Sequence, residues 1–450
     1  MPFLLDSTTE INAELICDYI KLHRQLLSNR YQLLQDYYEG RHKILLRAPK
    51  REDEPCNNIV VPYPKYITDM ASGYHIGEAV SYQSNEDLDK LMELFKKAET
   101  DVQDTDNSKQ QSIYGVAYEL VYLAADKTPR TASIHPSQAF VIYNDTVELT
   151  PMAGVCYYEK RDIKTQELTG FKVEVSTDSK KMKFTIDADY ALSGKVLEEI
   201  NPFKLVTLIE IYNNDEKQGD FEQLISLIDG YDKQQSNRVD DKENFVNSLM
   251  VLKGQVLGDT QNEKKNYYRS IKENGVIELE QDGDLSFLTR QTDQQGDDLL
   301  RQSLADDIHK FSYVPSFTDK DFAGNISGVA MQFKLFGLNQ LMKSKDRYTK
   351  EGLRYRIRLF SNIMAVRGMK PVNVDNITIT ITHSMPKNLL EIAQVIGSLE
   401  GLCSKETLVA QLPFVEDPEE EVKKATEEHQ KAMDEMYVMS TPKAAVNNDQ

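Results

Sequence analysis

Cysteine is scarce and scattered. Cys17, Cys56, Cys156 and Cys403 are the only four in 450 residues. No CxxC spacing occurs among them, which excludes a disulfide framework or a thiolate zinc site and leaves buried thiols of a reducing compartment. Histidine is also thin, with seven residues, among them His23, His42 and His75. No HExxH or paired-ligand spacing exists, so no histidine metal centre is expected. No run approaches the ~20 consecutive apolar residues that a membrane helix needs. The start, "MPFLLDSTTEINAEL", lacks the basic segment and apolar core of a secretory signal. Positive charge is in deficit: 53 Lys and Arg stand against 72 Asp and Glu, for a net charge of −19. Gripping nucleic acid through counterion release takes clustered cations. That excludes a conventional sequence-specific DNA binder, but not a protein that DNA must pass without sticking.

Phosphate cradles are missing too. The only Gly-Lys pair is Gly194–Lys195, followed by Val196, and Asp189 stands where a P-loop needs its first glycine. No G-x-G-x-x-G occurs. The stretch "TDKDFAGNISGVAMQFKLFGL" (residues 318–338) nevertheless looks like a glycine loop opening a helix. Gly324 and Gly328 most simply allow a flexible or tight backbone there, with Asn325 or Ser327 as the helix cap. A phosphate ligand is the rival reading. One basic cluster is interleaved with aromatics, "NEKKNYYRSIK", containing Lys264, Lys265, Tyr267, Tyr268, Arg269 and Lys272. It reads either as a nucleic-acid surface or as a subunit contact or lysine-guarded strand edge. No Ser/His/Asp constellation can be assembled, and neither a catalytic residue nor a cofactor is expected.

What is present is an order of periods. Length suggests about three domains. Apolar residues at helical spacing (Ile11, Leu15, Ile16, Tyr19, Ile20, Leu26, Leu27, Leu33, Leu34) predict a helix over 11–39. An extended piece at 59–61, a helix over 64–74, a strand over 79–83 and a helix over 86–101, with an extension towards Ser112, follow. From Ala117 short β-branched and aromatic runs separated by turns predict an antiparallel sheet region. The helical period returns from Gly219 to Leu249. A small insertion follows, with strands near 276–279 and 285–288, and then a helix over 297–311 with Leu300, Leu304, Ile308 and Phe311 on one face. A long amphipathic run covers 329–367, "NITITITHS" alternates as a strand, and the end from Lys387 is helical and charged.

Five stretches, in order between Tyr31 and Leu353, carry a likeness. They are "LLQDYYEGRHKIL", "NNIVVPYPKYITDMASGYHIGEAVSYQ", "YGVAYELVYLAADKTPRTASIHPSQAFVIYND", "IYNNDEKQGDFEQLISLIDGYDKQQSN" and "DFAGNISGVAMQFKLFGL". The chain resembles the portal proteins of tailed double-stranded DNA phages, in particular the portal family of siphophages infecting Gram-positive bacteria.

The resemblance implies an α+β portal fold: a mixed α/β wing, a helical stem, a small α/β clip and an α-helical crown, assembled as a ring with a central channel, dodecameric in the capsid. On this sequence it places the N-terminal part of the wing at 1–218, the first stem helix at 219–249, the clip at 250–296 and the second stem helix at 297–314. The tunnel loop falls at 315–328, the long helix and wing strand at 329–386, and the crown and tail at 387–450. It implies a non-enzymatic channel of the virion, at the capsid vertex and assembled in the host cytoplasm, through which double-stranded DNA passes non-specifically in packaging and ejection. The implied partners are further copies of the chain, the terminase large subunit, a head-completion or adaptor protein, and major capsid and scaffolding proteins. Asp319, Lys320, Asp321 and Asn325 would be the loop residues touching DNA, and Lys264, Lys265 and Arg269 the clip contacts. The alternatives are another head–tail ring component, an adaptor or minor capsid protein, or a nucleotide-binding enzyme.

Overall fold

The computed structural model describes residues 3–49, 54–246, 249–253, 260–274, 284–288, 294–317, 328–384, 389–412, 415 and 417–440. Length alone suggests three domains, but the chain divides into two compact units, residues 1–316 with 337–383, and residues 317–336 with 384–450.

The first unit begins with strand β1 (Phe3–Leu5) and helix α1 (Ala13–Tyr38). Asn12 caps α1, its side chain accepting from the Leu15 amide at 2.9 Å. The buried stripe runs through Ala13, Ile16, Cys17, Ile20, His23, Tyr31, Leu34 and Tyr37. Leu26 and Leu33, which the apolar pattern counts as core, are exposed. The 3.6-residue period hands their places to His23 and Tyr31. Next come α2 (Tyr63–His75), β2 (Ser81–Gln83), α3 (Asp89–Ala98) and α4 (Thr100–Tyr114). The single helix expected over 86–101 is broken at Glu99, which is left-handed at φ 53°. The break turns α3's apolar face (Leu91, Leu94, Phe95, Ala98) and α4's polar face inward separately.

Strands β3 (Val116–Leu123), β4 (Pro129–Ile134), β5 (Ala139–Asn144), β6 (Pro151–Arg161), β7 (Leu168–Ser176), β8 (Lys180–Asp187), β9 (Leu197–Ile200) and β10 (Leu208–Tyr212) form the expected antiparallel region. Six strands order as β1-β5-β6-β7-β8-β9, three as β10-β3-β4. Alternation sets the faces: Met182, Phe184 and Ile186 of β8 point into the same core as Ile16 and Ile20 of α1. Gly115 shows why "YG" precedes this region. At φ +79° a Cβ there would lie 2.1 Å from the Lys217 carbonyl oxygen, so only glycine lets the two backbones pass.

Helix α5 (Ile225–Val246), strand β11 (Leu249–Lys253), helix α6 (Gln261–Asn274), strand β12 (Asp284–Leu288) and helix α7 (Gln294–Ser312) make a helix–insertion–helix hairpin. β11 pairs antiparallel with β12, Leu249 opposite Leu288. Leu249 is therefore a strand residue, not the end of the preceding helix. The strand expected at 276–279 lies outside the described residues. On α7 Ile308 is buried but Leu300 and Phe311 are exposed, so the apolar face read from the sequence is only partly covered. The long run from Val329 divides into α8 (Gly328–Lys334) and α9 (Phe336–Val366). From Gly337 α9 belongs to the first unit, where Leu353, Ile357 and Phe360 pack with α3, β3 and β10. Strand β13 (Thr378–Thr380) pairs with β2. The second unit holds α8, α10 (Leu389–Leu399), α11 (Lys405–Val409) and α12 (Pro418–Ser440).

Candidate functional site

Three of the five stretches that carry the likeness meet along one face of α5. Asp232, Ser236 and Asp240 recur every four residues, one turn apart. They satisfy an extended segment whose amides have no strand partner. The Val61 amide donates to Asp232 at 2.9 Å, the Ile59 amide to Ser236 Oγ at 3.0 Å and the Asn57 amide to Asp240 at 2.7 Å. His42 Nδ1 lies 2.5 Å from the other Asp232 oxygen, and Arg47 donates to Asp240 at 2.7 Å. Tyr37, stacked on His42 at 4.7 Å between ring centroids, donates to Asp229 at 2.6 Å. The polar spacing that looks like a solvated helix face is thus a docking rail, and each carboxylate offsets the cost of burying an amide. The α5–α7 pair is laced by Gln234–Asp297 at 3.1 Å and Arg238–Asp298 at 2.9 Å.

A second polar seam joins α4 to α9, in antiparallel order. Lys345 Nζ donates to Ser112 Oγ at 2.6 Å and lies 3.6 Å from Asp220. Gln111 donates to Thr349 at 3.1 Å. Arg356 holds Glu119 through two bonds of 2.6 Å each and Asp104 through one of 2.6 Å. All of these groups are buried except Asp220, whose side chain is still only 1% exposed. Burial raises the Asp104 carboxyl to about 6. Arg356 opposes that rise and the neighbouring Glu119 charge adds to it. Burial pushes the Lys345 ammonium down, against the pull of Asp220. Two carboxylates share one guanidinium, Glu119 through two bonds and Asp104 through one.

The remaining chemistry is sparse. Among the described residues no group of three or more His, Cys, Asp or Glu is placed to hold a metal. A polar cavity of about 240 Å³ between α1 and the turn at Pro136–Gln138 is lined by Arg24, Ser28, His135 and Glu159, among others. Arg24 is spent on Glu159 at 2.9 Å, so no phosphate cradle exists there. The nucleotide-binding alternative gains no support from this geometry. Lys264, Lys265 and Arg269 lie together on α6 and are exposed. Asp319, Lys320, Asp321 and Asn325 lie outside the described residues.

A family model described as phage portal protein, SPP1 Gp6-like, matches residues 18–435. The chain belongs to that portal family. Among its relatives is a portal protein of Bacillus phage SPP1, 27% identical over 425 residues, spanning 89% of this chain and 82% of that one. A portal protein of Clostridium phage phiCD119 is 23% identical over 439 residues, covering 89% and 93%. A solved structure, the neck of an empty GTA particle computed with C6 symmetry, aligns at 11% identity and a TM-score of 0.45, covering 78% of this chain and 90% of that one. The portal assignment agrees with the sequence reading, and the fold is α+β as expected. The family is a structural one and a component of virions, and no helix among the described residues is long and apolar enough to cross a membrane.

Sequence reasoning missed the seam residues Asp104, Glu119, Asp220, Lys345 and Arg356. One signal was available. Thr100, Gln103, Asp104, Asn107, Ser108, Gln111 and Ser112 form a helical stripe of polar residues, all buried. Lys345, Thr349 and Arg356 form its counterpart on α9. Two polar stripes of matching length and complementary charge invite pairing.

Proposed function

We propose that copies of the portal chain close into a dodecameric ring around a channel, at the capsid vertex, through which double-stranded DNA passes in packaging and ejection. The α5–α7 hairpin is the stem, and the insertion carrying β11, α6 and β12 is the clip. The clip docks the terminase large subunit during packaging and a head-completion or adaptor protein afterwards. Major capsid and scaffolding proteins surround the ring. Residues 387–450 form the crown. The loop bearing Asp319, Lys320, Asp321 and Asn325 touches the DNA. The chain is not an enzyme on this reading, and packaging energy comes from the terminase.

The observation that carries the reading is the helix–insertion–helix hairpin set immediately before the glycine-bearing stretch, in a chain of the portal family. An adaptor or minor capsid protein would not need that order of parts. The net charge of −19 supports the channel role. A wall of the same sign as the phosphates releases DNA instead of anchoring it, and the mixed charges of "DKDFAGN" favour steric over ionic contact. Lys264, Lys265 and Arg269, exposed in an otherwise acidic protein, suit an acidic partner surface at the clip. Electron microscopy of the purified protein tests the reading. A closed annulus with a bore wide enough for a duplex is expected, and a monodisperse compact monomer at all concentrations overturns it.

A further inference from the structure

Portal membership leaves helix α2 without a role, yet its contacts are concentrated. The chain leaves the first unit after Ser316, returns at Gly337 and leaves again after His383. Residues beside all three crossings are held by α2. At the first, Tyr66 Oη donates to the Pro315 carbonyl at 3.0 Å. The Tyr63 and Tyr66 rings stand edge-on to His309, at 5.7 and 5.8 Å between centroids. At the second, Tyr74 Oη donates to Asn339 Oδ1 at 2.5 Å. At the third, the Tyr74 ring lies 5.5 Å from the His383 ring. His75 and His383 approach the same oxygen of Asp346, at 3.2 and 3.1 Å. Just past α2, the Gly77 amide donates to the Thr382 carbonyl at 3.1 Å. The other end of α2 is tied to the hairpin, with Tyr63 edge-on to Tyr231 of α5 at 5.1 Å.

The tyrosine contacts come from one face of the helix. Positions 63, 66 and 74 fall within a single stripe at 3.6 residues per turn, and 13 residues at 1.5 Å each span ~20 Å. A crossing strand keeps two soft dihedrals per residue. Holding three crossings on one rigid rod fixes their spacing in a way that three separate loops could not.

We propose that α2 is a positioning strut. It carries the base of the α5–α7 hairpin at one end, and through Tyr66, Tyr74 and the His75–Asp346–His383 contact it sets where the chain leaves and re-enters the first unit. The inference rests on this fold and not on ring formation or DNA passage, so it stands or fails apart from the reading above.

Hydrogen exchange on the full-length purified protein tests it. Tyr66→Phe removes one hydroxyl and is expected to speed exchange about fivefold at residues 312–317. Tyr74→Phe is expected to do the same at 337–341, where its hydroxyl bonds Asn339, and to leave 380–384 unchanged, since the ring beside His383 is kept. Gly73 is exposed on α2, with no atom within 4 Å of an added Cβ. Gly73→Ala therefore stiffens the helix without a clash, and should slow exchange by up to about fivefold at all three crossings together. Strands β6 to β8 serve as the reference and should not change. The proposal is overturned if Gly73→Ala slows exchange within α2 and leaves the crossings untouched, or if the tyrosine variants loosen the whole first unit evenly.

Discussion

Replacing Arg356 by methionine puts the buried seam to a quantitative test. The guanidinium is fully buried and makes three bonds of 2.6 Å to Glu119 and Asp104, which are themselves buried. Methionine keeps most of the aliphatic stem, so the packing loss is small. What remains is two carboxylates with no cation, in a site that water does not reach. Breaking a buried pair on one side costs about 3–5 kcal/mol, a large part of a typical stability of about 5–15 kcal/mol. The loss must depend on pH. Burial, with Glu119 beside it, already holds the Asp104 carboxyl up at about 6 with Arg356 in place. Removing the cation raises it further, so acid neutralises the repulsion. Urea unfolding followed by far-ultraviolet circular dichroism, for wild type and Arg356→Met at several pH values, reads this directly. A deficit of about 3–5 kcal/mol at pH 8, shrinking steadily towards pH 5, is expected. Arg356→Met combined with Asp104→Asn and Glu119→Gln should recover most of it, since all three charges are then gone. A deficit under about 1 kcal/mol at pH 8, or one that does not move with pH, refutes the reasoning, because it means the charges are solvated.

Asp104→Asn alone isolates the titration of this carboxyl. The folded carboxyl titrates at about 6 against an ordinary 3.8, so the folded state holds more protons between those values. This group's contribution to stability therefore falls as pH rises through that window, by about 3 kcal/mol, and the variant's stability relative to wild type should rise by about that amount between pH 4 and pH 7. A relative stability that stays constant counts against the assignment. Asp232→Ala strips the acceptor from the Val61 amide and from His42, and is expected to cost about 3 kcal/mol and to open residues 54–62 to protease before the sheets. Gly115→Ala would force a Cβ to 2.1 Å from the Lys217 carbonyl oxygen at a left-handed backbone, and a loss of at least about 3 kcal/mol, or no soluble protein, is expected on expression. Lys264→Glu, Lys265→Glu and Arg269→Glu together should leave assembly intact by electron microscopy and weaken terminase docking at least about tenfold in a binding assay. Unchanged docking removes these residues from the clip surface.

The amino-acid sequence by itself determined the family, the α+β class, the position of nearly every long element and the helix–insertion–helix order. Those features rest on local information. An apolar period of 3.6 or 2, a glycine at a turn and a motif in order can each be recognised without knowing what lies across from them. The break at Glu99, the exposure of Leu26 and Leu33 and the strand at Leu249 were decided elsewhere, by which face each neighbour presented. The polar seams were decided by tertiary structure alone. Asp104 meets Arg356 across 252 positions, and Asn57 meets Asp240 across 183. A polar stripe on a helix reads the same whether water or a partner helix covers it. Burial makes the difference, since the same carboxylate is nearly neutral in its effect when solvated and strongly coupled to its partner once desolvated. The buried histidines follow the same rule. Nothing around His42 or His75 in the chain announces that Asp232 or Asp346 will stand beside it, and only the folded chain brings them within reach.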